Sequence, residues 1–173
     1  LQLKPENPDA LMNLGSIYKD LGNLDQALTI TLKSLELRPN NPNAHINLGC
    51  IYQDLGNYNQ ALASTLKSLE LKPNDPDALM NLGSIYKNLG SLDQALAATL
   101  KSLDLKPVNP DALVNLGSIY KELGNLEQSL TYTLRSIELE PNNSYALANL
   151  GALSLSKNDL KKALLYTKRA LVL

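Results

Sequence analysis

The sequence predicts an all-α fold, a solenoid of five tandem helical hairpins, and three observations lead there. The stretch NLGSIYKDLGNLDQAL from Asn13 returns as NLGCIYQDLGNYNQAL from Asn47, NLGSIYKNLGSLDQAL from Asn81 and NLGSIYKELGNLEQSL from Asn115, with a looser copy, NLGALSLSKNDLKKAL, from Asn149. Each start lies 34 residues after the one before it (13, 47, 81, 115, 149), the mark of stacked structural repeats. Within each copy the apolar residues recur at i, i+3, i+4 and i+7, as one buried face of a helix requires. Between these runs Pro, Gly and Asn recur at fixed places as helix starts and stops.

Each unit opens at Pro8, Pro42, Pro76 or Pro110, with Ser144 in that place in the fifth. Asn7, Asn41, Asp75, Asn109 and Asn143 precede them, so the start reads as an Asn or Asp N-cap, followed in four units by Pro at the first helical position. The first helix is expected near 9–21 and the second near 24–37, repeating every 34 residues. The first carries Ala10, Leu11, Leu14, Ile17, Tyr18 and Leu21 on its apolar face. Tyr18, Tyr52, Tyr86 and Tyr120 are expected to be largely buried between hairpins, with Ser154 in the fifth unit. Gly15, Gly49, Gly83, Gly117 and Gly151 stand mid-helix, where Gly costs about 1 kcal/mol against Ala. That cost predicts a close helix crossing, opposite the small residues Ala27, Ala61, Ala95, Ser129 and Ala163. Gly22, Gly56, Gly90 and Gly124, and Asn158 in the fifth unit, suit a left-handed residue closing the helix. The second helix begins with Asn23–Gln26, Asn57–Gln60, Ser91–Gln94 and Asn125–Gln128, which read as capping boxes. Asp159 with Lys162 lacks the reciprocal bond. Pro39, Pro73, Pro107 and Pro141 end the second helices.

Leu14, Gly15, Tyr18, Gly22, Ala27 and Pro39 together resemble the pattern of the tetratricopeptide repeat (TPR) family, and the likeness covers essentially the whole chain. The resemblance implies a right-handed superhelical solenoid of five TPR hairpins. The units are 8–41, 42–75, 76–109, 110–143 and 144–173, with 1–7 as the end of a preceding repeat, so that the chain reads as part of a longer array. Two positions depart from the family. Thr31, Thr65, Thr99, Thr133 and Thr167 replace a large aromatic, and Ser34, Ser68, Ser102 and Ser136 follow three residues later. Their hydroxyls are expected to bond back to a carbonyl one turn earlier.

Composition narrows the function classes. The 16 basic and 17 acidic residues nearly cancel, against a nucleic-acid binder. No apolar run reaches the ~18 residues of a membrane span. The single Cys50 makes no internal disulfide, and a cytoplasmic location is the simplest expectation. One His and one Cys offer no metal cluster, so no metal and no cofactor are expected. His45 takes the place of Leu11 and Leu79, and Cys50 that of Ser16 and Ser84; both read as packing residues. The rows Lys33, Lys67, Lys101 and Glu36, Glu70, Asp104 read as a solvated face. No catalytic constellation emerges, and the chain is not expected to be an enzyme.

The sharper signal is Asn13, Asn47, Asn81, Asn115 and Asn149, a mediocre helix former set mid-helix in every unit. In the TPR family this position faces the concave groove. The row is similar to the Asn ladder in the TPR arrays of O-linked N-acetylglucosamine transferase, where it holds an extended peptide; the bland reading is a residue copied with the repeat. Met12, Ile46 and Met80 would add an apolar strip, and Lys19, Lys87 and Lys121 a set of cations. The Lys and Asn pattern of TPR domains that clamp a chaperone's C-terminal carboxylate is not met. The reading is a non-catalytic protein- or peptide-binding scaffold. The alternatives are a substrate-presenting domain of a larger, glycosyltransferase-like enzyme and a head-to-tail self-assembly module.

Overall fold

The computed structural model describes residues 7–172 as ten α-helices, with no strand among them. Residues 1–6, read above as the end of an earlier repeat, and residue 173 lie outside the described residues. The helices are α1 (Pro8–Asp20), α2 (Leu24–Leu37), α3 (Pro42–Asp54), α4 (Tyr58–Leu71), α5 (Pro76–Asn88), α6 (Leu92–Leu105), α7 (Pro110–Glu122), α8 (Leu126–Leu139), α9 (Ser144–Ser156) and α10 (Leu160–Leu171). Two compact units result, one ending at Leu89 and one beginning at Gly90. In the first, α1 pairs with α2 and α3 with α4, while α2 packs on α3 and α4 on α5. In the second, α7 pairs with α8 and α9 with α10, while α6 packs on α7 and α8 on α9.

Local chemistry explains the boundaries. At each first helix the N-cap side chain accepts backbone N–H bonds, as Asn7 Oδ1 does from Asp9 at 2.9 Å and Asp75 Oδ1 from Asp77 and Ala78 at 3.0 Å. Lys72 pairs with the other Asp75 oxygen at 2.7 Å. Burial by itself would raise the Asp75 carboxyl, but the Lys72 ammonium and the two N–H donors hold it below the usual carboxylate range. Helix ends close with φ between +75° and +80° at Gly22, Gly56, Gly90 and Gly124, and with φ 58° at Asn158. Only Gly, or less readily Asn, adopts this conformation without strain. The second helices start differently from the expectation. Asn23, Asn57 and Ser91 make no side-chain cap bond. Asn125 and Asp159 do, each accepting an N–H at 3.1 Å. The backbone ties the N–H of Asn23, Asn57, Asn125 and Asp159 to the carbonyl five residues back, as in Asn23 N to Tyr18 O at 2.8 Å, whether or not the cap side chain bonds.

The mid-helix glycines do mark close crossings, against a different partner from the one expected. A Cβ on Gly15, Gly49 or Gly117 would collide with Oγ1 of Thr31, Thr65 or Thr133, and one on Gly151 would lie 2.6 Å from Thr167 Oγ1. The small residue enters through its backbone: the Ala27, Ala61 and Ser129 carbonyls would lie 3.3–3.4 Å from the added carbon. Thr99 and Thr133 bond back to the Ala95 and Ser129 carbonyls at 2.8 and 2.7 Å, as expected. Thr31 Oγ1 and Thr65 Oγ1 are buried without a partner. Ser34 and Ser136 instead reach across the hairpin to the Pro8 and Pro110 carbonyls at 2.7 and 3.0 Å. The four tyrosines are half-buried rather than largely buried. Tyr120 stacks on Tyr132 at 5.5 Å between ring centroids.

Candidate functional site

The asparagine row lies on the first helix of each repeat, at the sixth helical residue of α1, α3, α5, α7 and α9. Asn13 is exposed; Asn47, Asn81, Asn115 and Asn149 are half-buried. Three of these amides donate into the preceding repeat. In the first unit Asn47 Nδ2 donates to Met12 O at 3.4 Å and Asn81 Nδ2 to Cys50 Sγ at 3.1 Å. In the second Asn149 Nδ2 donates to Ser118 Oγ at 2.8 Å. The acceptors sit one position before or three after the ladder Asn of the preceding repeat. Gln53 makes a similar bond in the opposite sense, to Ser84 Oγ at 2.8 Å.

A primary amide has two N–H donors and a carbonyl acceptor. Each bond described uses one donor. No partner is found among the described residues for the Oδ1 of Asn47, Asn81 or Asn149, so a row of amide acceptors with one spare donor each borders this face. Met12, Ile46 and Met80 stand beside it, half-buried; Val114 is buried and Ala148 exposed at the corresponding positions.

The cations are also half-buried. Lys19 pairs with Asp20 at 2.7 Å, and this bond raises its ammonium above the ordinary lysine value. Lys87 and Lys121 hold the same helical position and are likewise half-buried. Cys50 lies near Lys19 and Asp54, and its burial outweighs the neighbouring ammonium, pushing the thiol up to about 11. Its sulfur accepts the Asn81 amide bond. His45 is half-buried and holds the Pro39 carbonyl at 2.8 Å, a local tie at the start of α3. Among the described residues no three His, Cys, Asp or Glu side chains gather as a metal site would need. No helix among them is long and apolar enough to cross a membrane.

What sequence reasoning missed is the set of acceptors. Met12 O, Cys50 Sγ and Ser118 Oγ lie 31 to 35 residues from their donors, and nothing in a single repeat announces them. The available signal was the small polar residue at position 16, 50, 84 and 118, three residues after each ladder Asn.

Four tetratricopeptide repeat signatures match, over residues 7–74, 46–110, 110–143 and 132–165, so that together they span 7–165. Curated protein sequences give no match. Among solved structures, TTC0263, a thermophilic TPR protein of Thermus thermophilus, is 25% identical with a TM-score of 0.88, over 95% of this chain and 90% of that one. MamA is 27% identical with a TM-score of 0.69, over 91% and 92% of the two chains. YrrB, described as a TPR protein with an unusual peptide-binding site, is 22% identical with a TM-score of 0.64, over 95% and 85%, a likeness of fold. With its repeat length, its paired helices, its glycine crossings and these matches, the chain belongs to the tetratricopeptide repeat family.

Proposed function

We propose that this chain is a protein-binding scaffold of five repeats that takes extended peptide along its asparagine row, at Asn13, Asn47 and Asn81 in the first unit and at Asn115 and Asn149 in the second. The observation that carries the proposal is the unused half of the ladder: the side-chain carbonyls of Asn47, Asn81 and Asn149 have no partner among the described residues. A half-buried amide acceptor gains from meeting a peptide N–H, since both groups otherwise rely on water. The bond each amide already makes to its neighbouring repeat holds it in place, so little side-chain freedom is lost on binding. Successive packed helices lie roughly 8–10 Å apart. An extended peptide advances about 3.3 Å per residue, so one rung would meet about every third residue. Met12, Ile46 and Met80 would contact side chains of the guest, and Lys19, Lys87 and Lys121 would favour acidic residues flanking it. Recognition of the guest's backbone makes affinity depend weakly on its sequence.

The test uses peptides selected from a random displayed library against the whole chain, with affinity measured by calorimetry. Replacing Asn47, Asn81 and Asn115 together with Ala removes three contacts of about 0.5–1.5 kcal/mol each, a loss of tenfold or more. Circular dichroism must show that the helices persist. A folded triple variant that binds as tightly as the parent would leave the ladder with only its inter-repeat role and defeat the proposal.

A further inference from the structure

A cleft of about 350 Å³ opens in the second unit between α8, α9 and α10. Leu130 and Leu134 of α8, Leu150 and Leu153 of α9 and Tyr166 of α10 form its apolar lining, and Ser154 of α9 lines it beside them. Lys157, Asp159 and Lys162 form the rim, where Lys162 pairs with Asp159 at 3.3 Å. Leu150 and Leu153 are 2% exposed, so their part of the lining belongs to the hydrophobic core.

The chain itself supplies a template for what fits there. Tyr18, Tyr52, Tyr86 and Tyr120 occupy the place that Ser154 takes in the fifth repeat. In the first unit, Tyr52 and Leu28 both pack against a cluster containing Leu48. Shifted by three repeats, or 102 residues, Leu28, Leu48 and Tyr52 become Leu130, Leu150 and Ser154, all three at the cleft. The apolar surroundings of a phenol ring have therefore been kept and the ring removed. Cavities lined by Leu and aromatic side chains take up small aromatic molecules, because water gains too few hydrogen bonds there.

We propose that this cleft is a binding site for a small free phenol. The ring would lie on Leu130, Leu150 and Leu153, with its hydroxyl towards the Asp159–Lys162 pair at the rim. The carbon para to the hydroxyl would face Ser154 and the α9 backbone, where the internal tyrosines have their methylene group. The α9 backbone stands at that end, where a peptide chain bearing the ring would have to run, so a free molecule is favoured over a tyrosine borne by a partner.

The probe is p-cresol, titrated into the whole chain and followed by the methyl NMR signals of leucine. We expect saturable shifts at Leu130, Leu150 and Leu153, with a Kd on the order of a millimolar, in keeping with eight ligand heavy atoms. Ser154→Tyr fills the cleft covalently and should weaken binding at least about tenfold. Ser154→Val, which intrudes less, should give a smaller loss and serves if the Tyr variant does not fold. N-acetyl-tyrosinamide should bind at least about tenfold more weakly than p-cresol. Absence of saturable shifts at these leucines, or equal p-cresol binding by a folded Ser154→Tyr variant, overturns the proposal. Equal affinity for the two phenols overturns the assignment to a free molecule.

Discussion

At the crossing of α7 and α8, a Cβ on Gly117 would run into Thr133 Oγ1. That hydroxyl cannot easily turn away, since it donates to the Ser129 carbonyl at 2.7 Å. Ser129 Oγ in turn donates to the Gly117 carbonyl at 2.7 Å, closing the crossing from the other side. The glycine and the threonine are therefore coupled at this crossing. Gly117→Ala should destabilise the chain by about 1–3 kcal/mol, although Ala is the better helix former. Adding Thr133→Ala removes the clashing hydroxyl and should recover part of that loss; thermal denaturation of the double-mutant cycle measures the coupling. If Gly117→Ala raises the melting temperature, the crossing is looser than described. The need for a close approach was legible from five glycines in register. Its partner was not, because a sequence invites pairing small residues with small ones, whereas the contact is made by a hydroxyl one turn further on.

Among the helices, legibility followed the range of the interaction that sets each feature. The start of α1 was read at 9 and found at Pro8, and α2 was read at 24–37 and found at Leu24–Leu37, because caps and stops are encoded within four residues. The capping boxes were over-read: Asn23, Asn57 and Ser91 make no side-chain cap bond, while Asn125 does. Removing a cap side chain should therefore cost different amounts in different repeats. Asn125→Ala should lose about 0.5–2 kcal/mol, and Asn57→Ala, which gives up no cap bond, clearly less. Equal losses in chemical denaturation would refute this. Asp75 adds a dependence on pH at the start of α5. Its folded carboxyl lies below the ordinary value of 3.8, so its contribution is present above that value and is lost as the pH falls through the folded one. Asp75→Asn should thus be less stable than the parent at pH 7, with the gap closing in strong acid. A gap that does not change with pH would mean that the Lys72 pairing contributes nothing.

Across the whole molecule, exposure varies along a surface whose sequence is periodic. Ile17 on α1 is 54% exposed, while Ile51, Ile85 and Ile119 at the same position are fully buried. Leu164, Leu165 and Leu171 on α10 are more than half exposed. These patches belong to the same repeating surface that packs α2 on α3 and α8 on α9 within the chain. We expect a second copy to satisfy them head to tail, a contact that does not close on itself and can propagate. Sedimentation velocity should show association that increases with concentration and is abolished by Ile17→Glu. A strict monomer at high concentration refutes it. The asparagine row was visible in the sequence as a periodic oddity. Its anchoring was not, because each acceptor belongs to another repeat.

That anchoring gives the stack a mechanical character. The three ladder bonds use a backbone carbonyl at Met12, a thiol at Cys50 and a hydroxyl at Ser118. A sulfur is the weakest acceptor of the three, so the stitch from Asn81 to Cys50 is the one with most give. Gln53 Nε2 to Ser84 Oγ at 2.8 Å crosses the same junction from the other side, so the yielding stitch is doubled by a firmer one.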